Sequence, residues 1–216
     1  MKARLTCVLA AAALVASCTQ PASRSTGVYL LLDTSGTYRN ELTKAEQIIN
    51  YTLSRLDSLD SFAVARIDTG SFSEKDILAK VTLDDRPSTA NLEKRRFSEA
   101  VRTALGRVQP SAHTDITGGL LQAVEFLNEK QPGRKTIFIF SDLKEDLEKG
   151  YVRDIPVPLK GFEVVALNVT KLRSDNIDPR EYLDRLEHWR KLVERGGGSW
   201  RVVNDLDRLE GLLPVT

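Results

Sequence analysis

Two alternating periods constrain this chain more than any other feature. Val28-Tyr29-Leu30-Leu31-Leu32 is an unbroken apolar run of strand length that ends at Asp33. Phe62 to Ile67, Thr136 to Phe140 (TIFIF) and Phe162 to Val169 are similar runs. Between them, apolar residues recur three and four apart, the spacing of one helix face. Glu41 to Leu59 carries Leu42, Ala45, Ile48, Ile49, Leu53, Leu56 and Leu59 in that pattern. Leu92 to Val108 and Thr117 to Lys130 follow it too, and are closed by Gln109-Pro110 and Gln131-Pro132-Gly133. Asp178-Pro179 opens another helix, through Tyr182, Leu186, Trp189 and Val193, which stops at Gly196-Gly197-Gly198. Ile77 to Leu83 alternates as an edge strand does. Trp200 to Val203 reads as a last strand and Leu206 to Leu213 as a short closing helix. A strand apolar on both faces has to be covered on both. The pattern therefore predicts an α/β fold, doubly wound, with a mostly parallel central sheet and helices on both faces.

Bulk properties narrow the class further. With 216 residues, 41% hydrophobic and 28% charged, the chain suits one globular domain with a real core. Its 31 basic and 30 acidic residues are interspersed, so nothing draws it to nucleic acid. The first segment stands apart. Met1-Lys2-Ala3-Arg4 is a basic start, and Leu5 to Ala16 is an apolar run too short to span a bilayer. Leu14-Val15-Ala16-Ser17-Cys18 resembles the lipobox of bacterial lipoproteins. That resemblance implies a signal peptide over 1–17, then a lipidated Cys18 and tether over 18–27, and a domain over 28–216. It also implies a place in the bacterial cell envelope, at a periplasmic or outer-membrane face, with the membrane met only through the lipid anchor. Acyl chains contribute about 0.8 kcal/mol per buried CH₂, so two or three of them make a stable anchor. Cys7 would leave with the signal, so the exported domain would rely on its core and not on disulfides.

In open α/β sheets, ligands bind outside the carboxyl ends of the strands, which directs attention to the residue after each apolar run. Asp33-Thr34-Ser35-Gly36-Thr37 follows the first run, and Ser141-Asp142 follows TIFIF. Thr114 lies in His113-Thr114-Asp115-Ile116-Thr117-Gly118-Gly119-Leu120, ahead of a helix. Two carboxylates and several hydroxyls form a hard-oxygen set, suited to Mg²⁺, Mn²⁺ or Ca²⁺ and poorly suited to zinc or copper.

Together these residues resemble the von Willebrand factor type A (VWA) domain, over about Val28 to Val203. The family's Asp-x-Ser-x-Ser motif is similar to Asp33-x-Ser35-x-Thr37, its metal-site threonine to Thr114, and its second aspartate to Asp142. The resemblance implies a metal-ion-dependent adhesion site. In such a site the hydroxyls of Ser35, Thr37 and Thr114 hold Mg²⁺ (alternatively Mn²⁺ or Ca²⁺), and Asp33 and Asp142 bind directly or through water. An Asp or Glu from a partner protein completes the coordination. Two positions depart from the family pattern. Thr37 stands for the usual serine, keeping the oxygen but stiffening χ1, and Leu143 stands for the usual glycine after the second aspartate.

The expectation is a binding module and not an enzyme. The alternatives are a metal-assisted hydrolase on the same oxygen cluster, or a structural module of this fold without a functional ion. Ser35 has no evident base nearby in sequence. Asp68-Thr69-Gly70-Ser71 resembles the aspartic-protease motif, but it occurs once in a helix-rich chain and reads as a turn. Of the two histidines, His188 falls within an amphipathic helix and His113 adjoins Thr114 at the rim of the site. Asp115 fits either a place behind the ion or a helix N-cap.

Overall fold

The computed structural model describes residues 24–36, 41–205, 211 and 213. Six strands form one sheet: β1 (Thr26–Asp33), β2 (Ser61–Ile67), β3 (Ile77–Thr82), β4 (Arg134–Phe140), β5 (Phe162–Leu167) and β6 (Ser199–Val203). Their order is β3-β2-β1-β4-β5-β6, parallel throughout except for β3, which pairs antiparallel on β2 at the edge. Four helices connect them: α1 (Leu42–Arg55), α2 (Pro87–Leu105), α3 (Ile116–Lys130) and α4 (Arg180–Arg195).

The apolar runs become central strands because both of their faces are buried. Val28, Leu30 and Leu32 of β1 pack with Ile48, Ile49 and Leu53 of α1 and with Phe97 and Val101 of α2. Tyr29 and Leu31 point the other way, into a cluster with Leu120, Ala123 and Leu127 of α3 and with Trp189 and Val193 of α4. Each such side chain contributes about 2 kcal/mol relative to exposure, so the two-sided pattern favours a place for β1 in the middle of the sheet.

Several boundaries differ from the sequence expectation. β1 takes in Thr26 and Gly27, which the sequence assigns to the tether. Thr26 N–H donates to the Asp60 carboxylate (2.6 Å), and a Cβ on Gly27 would lie 2.6 Å from the Pro132 ring. α1 ends at Arg55 and not at Leu59. Leu56 is extended and buried, whereas Leu59 sits exposed at φ 70° in the turn that follows. α2 begins at Pro87, five residues before its first periodic leucine, because the first turn Pro87-Ser88-Thr89 faces largely outward and proline at N1 suits a helix start. Asp178 Oδ1 accepts the Arg180 N–H at the start of α4 (3.0 Å), and Gly197 (φ 84°) follows its end. The expected helix over 206–213 falls outside the described residues except for Gly211 and Leu213. No helix among the described residues is long and apolar enough to cross a membrane.

The connection from β4 to β5, residues 141–161, contains no helix. It runs as an irregular strap that buries Leu143, Val157 and Leu159 in the α3/α4 cluster, covering that face where a crossover helix would otherwise lie.

Candidate metal centre

Strand pairing builds this centre. β1 and β4 are parallel neighbours with Leu32 opposite Phe140, so Asp33 and the Ser141-Asp142 pair leave the sheet side by side. Asp33 is buried. Its Oδ1 accepts the Ser35 N–H (2.8 Å), and its Oδ2 accepts the Ser141 hydroxyl (2.7 Å). Ser141 Oγ in turn accepts the Leu143 N–H (3.0 Å). A buried hydroxyl thus links one aspartate to the backbone beside the other.

Asp142 is also buried, and its Oδ1 accepts the Lys144 N–H (2.8 Å). Burial pushes its carboxyl above the ordinary 3.8, and the nearby Asp33 charge pushes it the same way. The Lys144 amide and the Arg185 and Lys144 charges pull it back.

Thr114 comes from a third loop, tied to both of the others. Ser111 N–H donates to the Thr34 carbonyl (3.1 Å), and Thr114 and Asp146 exchange two backbone hydrogen bonds (2.8 and 2.9 Å). The loops after β1, before α3 and after β4 therefore form one bonded unit around the strand ends. Thr37 lies outside the described residues.

The Gly118-Gly119 pair shows why the sequence reads as it does here. A Cβ on Gly118 would fall on the Ser71 carbonyl oxygen and 2.5 Å from Asp115 Oδ2, and one on Gly119 would lie 2.9 Å from Leu31. Only glycines let the first turn of α3 approach β1 and the loop after β2 this closely.

Asp115 is the N-cap of α3, with Oδ1 accepting the Gly118 N–H (2.8 Å). It also holds Arg153 of the strap, whose Nε lies 3.0 Å from both carboxylate oxygens and whose Nη2 lies 2.6 Å from Oδ2. The same guanidinium donates to the Ser71 carbonyl (2.9 Å). No sequence pattern points to Arg153, because the strap has no period. Arg185 and Trp189 of α4 are likewise invisible as site neighbours in sequence. Arg185 Nε donates to the Asp142 carbonyl (3.2 Å), and the Trp189 indole donates to the Leu143 carbonyl (2.9 Å).

The competing motifs resolve into structure. Asp68 accepts the Thr69 N–H (2.7 Å) and the Ser111 hydroxyl and pairs with Arg66 (2.7 Å), while Ser71 Oγ closes the turn on the Asp68 backbone. That makes Asp68-Thr69-Gly70-Ser71 a turn. His113 Nδ1 lies 3.1 Å from Asp146, and the ring of His188 meets the edge of Trp189.

Two buried carboxylates with Ser35 and Thr114 make an all-oxygen donor set, and a bound cation would relieve the mutual repulsion of the acids. Among the described residues no three His, Cys, Asp or Glu side chains gather as a cation cluster, so an ion held here would need hydroxyl ligands as well. The donor types fit a hard divalent ion that keeps open positions.

No protein-family model and no curated protein sequence matches the chain. Solved structures are similar in fold. A von Willebrand factor type A protein from Catenulispora acidiphila superposes with TM-score 0.52 at 16% identity, over 86% of this chain and 40% of that one. The pilus adhesin SpaC from Lactobacillus rhamnosus GG, in its open conformation, superposes with TM-score 0.56 at 15% identity, over 89% of this chain and 29% of that one. The chain spans less than half the length of either. At this identity the likeness establishes the fold, a VWA-type α/β sandwich.

Proposed function

We propose that this VWA-type fold serves as an exported, lipid-anchored binding module, which captures a protein partner through a divalent cation. Asp33, Ser35, Thr37, Thr114 and Asp142 hold Mg²⁺, with Mn²⁺ or Ca²⁺ as substitutes, and a partner Asp or Glu fills an open position. The observation that carries this reading is the pair of buried carboxylates at adjacent strand ends, with Ser141 bonded between Asp33 and the backbone after Asp142. When bound, the ion supplies positive charge with unfilled coordination, which favours an anionic ligand.

The chain's own residues do the positioning. Ser141 and the Ser35 N–H fix Asp33, and the Lys144 N–H fixes Asp142. The backbone pairing of Thr114 with Asp146 sets the third loop. Binding is preferred to hydrolysis in this reading because no histidine hydrogen-bonds the Asp33, Ser35 or Asp142 side chains among the described contacts; His113 pairs with Asp146 and the His188 ring meets Trp189.

Calorimetric titration with Mg²⁺, Mn²⁺ and Ca²⁺ tests this reading. Binding is expected at roughly millimolar concentration or tighter, since few protein charges face the ion. No heat with any of the three at that concentration would leave a structural module of this fold.

The anchor is a separate proposal, resting on the lipobox-like residues up to Cys18, which lie outside the described residues. Growth with labelled fatty acid is expected to label the chain, and Cys18→Ser is expected to abolish the label. A labelled Cys18→Ser chain would refute lipidation at this residue.

A further inference from the structure

We infer that Trp189 is a positioning residue for the ion site, acting through the backbone of Leu143. The inference rests on the reading of Asp142 as an ion-binding carboxylate. Leu143 has φ 65°, in the left-handed region that residues with a Cβ avoid, and it directly follows Asp142. Leucine has no preference for that geometry, so its surroundings impose it.

Three contacts impose it. Leu143 N–H is held by Ser141 Oγ (3.0 Å), and the Leu143 carbonyl by the Trp189 indole (2.9 Å). The preceding carbonyl, of Asp142, is held by Arg185 Nε (3.2 Å). Arg185 is itself fixed by Asp175, at 2.7 and 2.8 Å. Two of these holds come from α4, one turn apart on the same helix face.

The consequence reaches the carboxylate. Left-handed geometry at Leu143 turns the Lys144 N–H back onto Asp142 Oδ1 (2.8 Å), which aims that side chain. Without the indole, Leu143 relaxes toward negative φ and the Lys144 N–H turns away from Asp142. A cleft of about 550 Å³ lined by Leu143, Lys144 and Arg185 gives the segment room to do so. The leucine that departs from the family pattern is thus paired with a tryptophan that holds it in a glycine-like conformation.

The test uses the full chain and two readouts: Mn²⁺ affinity by calorimetry, and amide hydrogen exchange at Lys144 in metal-free protein. Trp189→Phe removes the donor and keeps a ring. It is expected to weaken Mn²⁺ binding by about tenfold and to speed exchange at Lys144. Adding Leu143→Gly is expected to restore both, because glycine adopts the left-handed geometry without help. Val193→Ala, which also loosens α4 packing, is expected to change neither.

Unchanged Mn²⁺ affinity in Trp189→Phe, or an equal loss in Val193→Ala, would overturn the inference. If the wild-type chain binds no Mn²⁺, the ion-site reading fails instead. The Lys144 exchange rate then shows whether the indole still holds the loop.

Discussion

Asp115→Ala is expected to lower the free energy of unfolding by about 3–4 kcal/mol, measured by urea denaturation followed by circular dichroism. The carboxylate is 1% exposed and has two roles. It caps α3 through the Gly118 N–H, an interaction that contributes about 1 kcal/mol. It also neutralises Arg153, whose side chain is 18% exposed. Losing one partner of a buried pair costs about 3–5 kcal/mol, because a charge is left in low dielectric. The residual exposure of Arg153 lets water recover part of that. In the double variant Asp115→Ala/Arg153→Met no guanidinium is left unpaired, so it is expected to lose less than Asp115→Ala alone. A single-variant loss below about 1 kcal/mol would show that the pair is solvated and that the strap is held by its apolar contacts.

Asp33→Asn is expected to abolish ion binding while leaving the metal-free protein as stable as wild type or more so. The amide oxygen can still accept from Ser141 or Ser35, so most of the local hydrogen bonding survives. What disappears is the charge that, after burial, helps hold the Asp142 carboxyl above 3.8. A raised carboxyl binds its proton more tightly when folded than when unfolded. Stability is therefore lost as pH rises from 3.8 through the folded value, and by neutral pH the full penalty is present. Removing the Asp33 charge reduces that penalty. Thermal melting at neutral pH, together with Mn²⁺ calorimetry, separates the outcomes. A variant that melts well below wild type would mark Asp33 as a structural carboxylate. One that keeps wild-type ion affinity would remove it from the site.

How much was legible in the sequence follows from the physics of each segment. The central strands were plain because both faces of the sheet are covered, which leaves an unbroken apolar run in the chain. The place of Asp33 and Asp142 at adjacent strand ends followed too, since each ends or closely follows such a run. The start of α2 was not legible, because its first turn faces outward and carries no apolar period. The strap over 141–161 was not legible either. It is fixed by scattered contacts, among them the Arg153–Asp115 pair, the Thr114–Asp146 backbone pairing, the Arg185 and Trp189 hydrogen bonds and a few buried side chains, and has no repeating face. Arg185 and Trp189 read only as parts of an amphipathic helix. Their contacts at the centre lie 43 and 46 residues away in the chain, and no local pattern records that distance. The turn at Leu143 appeared in sequence only as a missing glycine, and its conformation required the fold.

The layout of β1 has a mechanical consequence. The chain enters the sheet at Thr26, and Asp33 leaves it at the opposite end, so one strand would join the proposed anchor to the proposed partner side. A partner pulling on the centre while lipid holds Cys18 would load β1 along its own axis. Seven residue pairs with β2 and seven with β4 would bear that load together in shear. Strands peeled apart from one end lose their hydrogen bonds one at a time, whereas a strand sheared between two parallel neighbours must break many at once. Survival under such a load would be set by the unfolding rate and not by equilibrium stability, and pairing on both sides of the strand would keep that rate low.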